Sequence, residues 1–155
     1  MTLSVYTARI GVDDCDALDI TRKSASGNAV AFAPSWEILG SALTLRSASR
    51  SLSAAANLVR QHGADDRVNI GEDMAVRVWD AAWSLYVVAY TGEMRASFRR
   101  NRDTWARLLA RDRVVLCCYC HDHSRCHRTI LGRDILPRLG ARFCGEVSVR
   151  VKKEG

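Results

Sequence analysis

The sequence predicts an α/β protein: a short, mainly parallel sheet flanked by helices in a small three-layer domain spanning residues 1–155. Three observations carry this. An alternating apolar–polar segment opens the chain, a continuous apolar run lies in its last third, and helical periodicity fills the space between them. Strand, helices, strand, helix, strand is the order that sets parallel strands side by side with helices packed on them.

Residues 3–10 (Leu-Ser-Val-Tyr-Thr-Ala-Arg-Ile) alternate and carry β-branched and aromatic types, so they read as a strand that Gly11 ends. Residues 12–33 have no period and are rich in Asp, Ser, Gly and Asn, which predicts a long loop of the kind that carries function. Pro34, Ser35 and Glu37 mark a helix start, with a helix to about residue 47 and a second, alanine-rich one over 52–61. Asp65, Asp66 and Asn69 fall in a polar connection. Ala75, Val76, Trp79, Ala82, Trp83, Tyr86, Val87 and Tyr90 recur at steps of three and four, predicting a helix over 73–90 that Thr91 and Gly92 break. Met94, Phe98, Trp105, Leu108 and Leu109 place a further helix over 93–110. Residues 114–118 form the apolar run expected of a strand buried on both faces. Ile130, Leu131, Ile135 and Leu136 mark a helix ending before Gly140, and a last strand includes residues 142–144 and continues toward Val151.

The 155 residues are 48% hydrophobic and 26% charged, enough for one core and far too apolar for disorder. No run reaches the ~20 apolar residues of a membrane span. The opening Met1–Tyr6 segment has neither a basic nor an apolar leader region, so a cytoplasmic location is the default expectation. A net charge of +6 favours anionic partners. Four of the six cysteines, Cys117, Cys118, Cys120 and Cys126, lie within ten residues, which suits a thiol or metal site better than a disulfide scaffold.

In an open parallel sheet, ligands bind beyond the carboxyl ends of the strands. Two loops meet that condition, one after Arg9 and one after Cys118. The second reads Cys117-Cys-Tyr-Cys-His-Asp-His-Ser-Arg-Cys-His-Arg128. Cys118 and Cys120 face one side of extended chain. Cys126 and His127 open the next helix, whose free N–H groups, with Arg125 and Arg128, favour thiolate and anion. Three readings follow: a thiolate or anion pocket, a zinc site on Cys118, Cys120, Cys126 and His127, or buried cysteines with surface histidines. Cys117 is expected to point away into the core. Cys120 to Arg125 leaves four residues between, one short of the phosphatase-loop spacing, so that mechanism is not transferred.

Leu116-Cys-Cys-Tyr-Cys, then Cys126-His-Arg128, Leu131 and a turn containing Gly140, resembles the end of the domain-of-unknown-function family numbered 488. The related family numbered 4326 has a similar Cys-x-Cys and Cys-His pattern. The strand-borne start at Tyr6–Arg9 is similar as well. The resemblance implies a Rossmann-like fold and a nucleotide-type ligand, and it marks Cys118, Cys126, His127 and Arg128. Cys117 and the two extra histidines fall outside the pattern.

The long loop adds Arg9, Asp14, Asp16, Asp19, Thr21, Arg22, Lys23, Ser35 and Trp36. Asp19-Ile-Thr-Arg22 suits a ribose or phosphate, although local turns explain the same residue types. Trp36 offers a stacking surface for a base or a core contact. Arg95, Arg99 and Arg102 recur at helical spacing, with Arg100, Arg107, Arg111 and Arg113 nearby; they suit nucleic-acid phosphates or an exposed face.

The leading expectation is therefore binding of a phosphate-bearing small molecule, with thiol-dependent catalysis by Cys120 or Cys126 and His127. Arg125, Arg128, Arg9, Asp19, Thr21, Arg22 and Trp36 would hold the ligand. A zinc-organised binding module without catalysis and a nucleic-acid binder using the basic helix are the alternatives. No membrane partner is expected.

Overall fold

Four parallel strands form the sheet, in the order β2-β3-β1-β4. In the computed structural model, which describes residues 1–63 and 67–148, they are β1 (Ser4–Arg9), β2 (Ala17–Asp19), β3 (Arg113–Cys118) and β4 (Arg142–Val147). Asp65, Asp66 and the continuation of the last strand toward Val151 lie outside the described residues. The chain is thus an α/β protein with an all-parallel sheet, as its patterning predicts.

Parallel registration sets the positions that matter. Arg9 lies opposite Cys118, and Asp19 opposite Cys117, so β1, β2 and β3 end on one edge. Side chains alternate across each strand. One face therefore carries Val5, Thr7, Leu116 and Cys118. The other gathers Ala8, Val115 and Cys117 into a cluster edged by Tyr6, Ile10, Val12 and Val147. The β1–β4 ladder shifts register between Val5 and Tyr6, and Gly145, at φ +109°, supplies backbone geometry that L side chains rarely adopt. The shift brings Glu146 opposite Thr7.

The helices depart from the expected boundaries in four places. The segment 12–33 is not structureless: it holds β2 and a 3-10 helix, Gly27–Phe32. Three residues are too few to show a period, and β2 exists because β3 offers its free edge. The helices expected over 34–47 and 52–61 are one element, α1 (Trp36–Gln61). The serines between them weaken a helix only modestly. α2 runs unbroken over Arg67–Arg100, so it starts before the expected residue 73, takes in Asn69, expected in the polar connection, and passes the break expected at Thr91–Gly92; the interruption comes at Asn101, before α3 (Arg102–Leu109). A single mid-helix glycine costs only about 1 kcal/mol. The last helical segment starts at His127, where the sequence places it, but as the single turn α4 (His127–Thr129), and continues as a π-helix (Ile130–Ile135) and a 3-10 turn (Leu136–Leu139). Pro137 offers no N–H to the carbonyl four residues back, so regular α pairing cannot persist through it.

The described chain divides into two compact units, one of residues up to Ser35 with those from Tyr90 onward, the other Trp36–Ala89. The second is an antiparallel helix pair. Ser49 Oγ donates to the Ala75 carbonyl at 2.7 Å, Arg46 lies 5.4 Å from the Trp79 ring, and a Cβ at Gly71 would meet Ala56 at 3.4 Å. Ala75, Ala82 and Tyr86 of the expected apolar face are buried, whereas Val76 is exposed.

The first unit holds the sheet. Its 3-10 helix is tied to the end of α2 through Tyr90 Oη, which donates to the Phe32 carbonyl at 2.7 Å, and Ser97 Oγ, which donates to the Ala31 carbonyl at 2.6 Å. The Phe32 and Trp105 rings meet edge to face at 4.9 Å. Gly132 brings the π-helix onto the sheet: an added Cβ would stand 3.3 Å from both Val5 and Thr7 side chains. Among the described residues no helix is long and apolar enough to cross a membrane.

Candidate thiolate centre

Three sulfur atoms converge where β3 leaves the sheet. Cys118 is the last residue of β3, Cys120 follows a bend at Tyr119, and Cys126 caps the turn that begins at His127. Their Sγ atoms all lie within 4.8 Å of one another, with Cys118 and Cys120 at 3.8 Å. Cys118 and Cys126 are buried and Cys120 is half-buried. Cys117 takes the opposite face, as expected, with its Sγ donating to the Val115 carbonyl at 3.4 Å and burial pushing its thiol up to about 11.

His127 adjoins two of the three sulfurs. Its Nδ1 is 3.8 Å from Cys118 Sγ and 3.9 Å from Cys126 Sγ. Its Nε2 lies 2.9 Å from the Ile20 carbonyl. A carbonyl only accepts, so Nε2 carries the proton and Nδ1 keeps its lone pair toward the sulfurs. Burial lowers the imidazole's pKa and holds the ring neutral. The Tyr90 ring packs edge-on against it at 5.5 Å.

Within the cluster the charge is unevenly shared. The Cys118 and Cys126 thiols donate to Cys120, which is drawn down to about 2. Cys118 rises to about 11 for the reciprocal reason, and Cys126 rises further with burial adding to the effect.

Arg128 has 0% of its surface exposed. Its Nη1 donates to the Cys120 carbonyl at 2.9 Å and lies 3.4 Å from Cys126 Sγ; Nη2 and Nε donate to Glu146 at 2.8 and 3.3 Å. Despite burial, the Glu146 ion pair keeps the guanidinium firmly charged. Glu146 also accepts from Thr7 Oγ1. An exogenous anion at Arg128 would have to compete with this carboxylate.

The other sequence candidates take several different places. Asp19 and Thr21 organise the turn after β2: Asp19 accepts from Thr21 N at 2.8 Å, Thr21 Oγ1 at 2.7 Å and Ser24 Oγ at 2.5 Å. Burial alone would raise the Asp19 carboxyl, but the Ser24 and Thr21 hydrogen bonds outweigh it and hold it below its usual range. This turn carries the Ile20 carbonyl that orients His127. Tyr119 Oη donates to Ser24 Oγ at 2.9 Å, joining the turn to the thiolate loop. Arg9 is exposed at the same edge, its Nη2 3.3 Å from His121 Nε2. Arg22 donates to the Pro34 and Ala33 carbonyls at 2.7 and 3.4 Å. Arg125 lies in a 3-10 turn before Cys126. Trp36 opens α1 in the helix-pair unit and is 63% exposed. Asp14 and Asp16 are clamped by Arg113 at 2.7 and 3.0 Å, which shows an ion-pair role for these two loop residues.

Three contributors escaped the sequence reading: Glu146, Tyr90 and the Ile20 carbonyl. A carboxylate in a half-buried final strand was the available signal for Glu146. Nothing local marks the other two.

Residues 72–139 match the family model DUF488-N3a, described as the active DUF488-N3 subclade. The matched span runs from within α2 through β3 and the thiolate loop into the last helical segment, so it extends well upstream of the Cys-x-Cys and Cys-His-Arg residues that carry the resemblance. No curated protein and no solved structure matches the chain.

Proposed function

We propose that the chain is a metal-organised α/β binding module whose zinc ion is held by Cys118, Cys120, Cys126 and His127. The observation that carries this reading is the mutual approach of the three sulfurs within 4.8 Å. A tetrahedron with metal–sulfur bonds of about 2.3 Å has edges of about 3.8 Å. The Cys118–Cys120 separation of 3.8 Å and the His127 Nδ1 separations of 3.8 and 3.9 Å are of that size. The His127–Ile20 hydrogen bond is the kind of outer contact that fixes a metal-bound imidazole. Three thiolates and a neutral imidazole around a divalent cation leave one net negative charge, which Arg128 adjoins. Such an ion would pin the end of β3, the intervening loop and the start of the last helical segment to the turn carrying Ile20.

Cobalt(II) replacement tests the ligand set, because thiolate-to-cobalt absorption scales with the number of sulfurs. The expected spectrum is that of a tetrahedral three-sulfur site, losing intensity in Cys126→Ser and shifting its visible bands in His127→Ala. An octahedral, weakly absorbing cobalt spectrum would reject the reading.

A thiol-dependent enzyme is the second reading. Two facts favour it: the matched subclade is described as active, and Cys120 is the most accessible sulfur of the three. Iodoacetamide separates the two. In a metal centre, alkylation of Cys120 waits for a chelator; in a free-thiolate enzyme it proceeds at the same rate without one.

A further inference from the structure

Residues 22–33, the end of α2 and the start of α3 line an open cleft of about 430 Å3 to which no cysteine contributes. That volume falls in the range that takes a small organic ligand. Two guanidinium groups, Arg22 and Arg100, line it, against one carboxylate, Glu93. Glu93 is already engaged, accepting from the Ser35 backbone N–H at 2.8 Å and from the Ser35 hydroxyl. The two carbonyls that hold Arg22 take its Nε and Nη2, leaving Nη1 for another acceptor. Among the described residues no acidic side chain forms an ion pair with either arginine.

The cleft also meets the first turn of α3, through Asn101 and Thr104. Asn101 Nδ2 donates to Ser97 Oγ at 3.2 Å, and its side chain makes no capping bond. The first-turn N–H groups of α3 therefore lack a side-chain acceptor from their cap residue. Val30 and Met94 add an apolar wall. Two cations against an engaged Glu93 suit a dianionic head on an organic body beside the apolar wall, although the first turn of α3 also carries Asp103.

We propose that this cleft binds an organic phosphate monoester, with the phosphate between Arg22 and Arg100 and the organic part against Val30 and Met94. The site is separate from the thiolate centre and stands whether or not that centre holds metal.

Phenyl phosphate is the probe, titrated calorimetrically into the full chain, with phenol and benzoate as the neutral and monoanionic controls. Saturable binding is expected, weaker by at least about tenfold for phenol, for benzoate and for phenyl phosphate with R100Q. Arg100 is exposed, so R100Q should melt with the wild type. Phenylglyoxal labelling of the unmutated chain gives a second reading, in which phenyl phosphate protects Arg22 and Arg100 but not Arg138. No saturable binding, equal affinity in R100Q, or no selective protection overturns the proposal. So does an oligonucleotide that needs Arg100 and is not displaced by phenyl phosphate, since the arginine would then belong to an open nucleic-acid face.

Discussion

The Arg128 guanidinium, sealed from solvent, meets the Glu146 carboxylate at 2.8 Å between α4 and β4, which the π-helix and 3-10 turn separate along the chain. This contact exists because β4 shifts register beside β1. A one-residue shift moves a strand's side chains to the opposite face. Here it puts Glu146 level with Thr7 and facing Arg128. Glu146→Ala leaves a buried cation without its counter-ion, a loss expected to cost about 3–5 kcal/mol. Urea unfolding measures it; a change under about 1 kcal/mol would show that the pair does not support the fold.

That pairing also marks the limit of what the residues disclose in one dimension. β1 and β3 were legible because each is a compact β-rich run, whereas the register that sets Arg9 beside Cys118 is a finding of the structure. Cys118 and Cys120 do converge, but across a bend at Tyr119 rather than by strand alternation, whereas Cys126 and His127 lie at the helix start that their position predicted. β2 was not legible, since three residues show no period and are held by β3 alone. Nor was the Ile20–His127 contact, which joins residues 107 apart through a backbone carbonyl. The merging of helices at Thr91–Gly92 shows tertiary context overriding a weak local breaker.

Gly132 is required for its size. An added methyl group would press on Val5 and Thr7 at 3.3 Å and Leu116 at 3.5 Å. Gly132→Ala is expected to destabilise by about 1–3 kcal/mol through overpacking. Thermal melting checks this; an unchanged midpoint would mean the π-helix has room to move off the sheet.

The Asp14–Arg113 pair supplies an acid-sensitive contact. The Arg113 hydrogen bond holds the Asp14 carboxyl below its ordinary value of 3.8. A lowered folded-state value stabilises above the unfolded value, and the contribution is lost as pH falls through the folded one. The stability gap between wild type and Asp14→Asn should be constant from pH 7 to about 5 and close below about 4. Denaturant titrations across that range test it. A gap that persists unchanged at the acid end would contradict the assignment.

Tyr90 anchors the 3-10 helix by one hydroxyl. Tyr90→Phe leaves the Phe32 carbonyl without its 2.7 Å donor and is expected to cost about 1–2 kcal/mol. Hydrogen exchange should quicken most in residues 27–33. Uniform exchange across the first unit would assign the effect to general loosening instead.

Opposite faces of β3 provide the sharpest internal control, because Cys117 and Cys118 are neighbours with different surroundings. The decisive measurement is the metal-to-protein ratio after purification without chelator. About one zinc per chain is predicted for the wild type and for Cys117→Ala, and under about one-tenth for Cys118→Ala and Cys126→Ala. A wild type free of metal, or equal metal in all four proteins, would contradict the metal-organised reading of these cysteines.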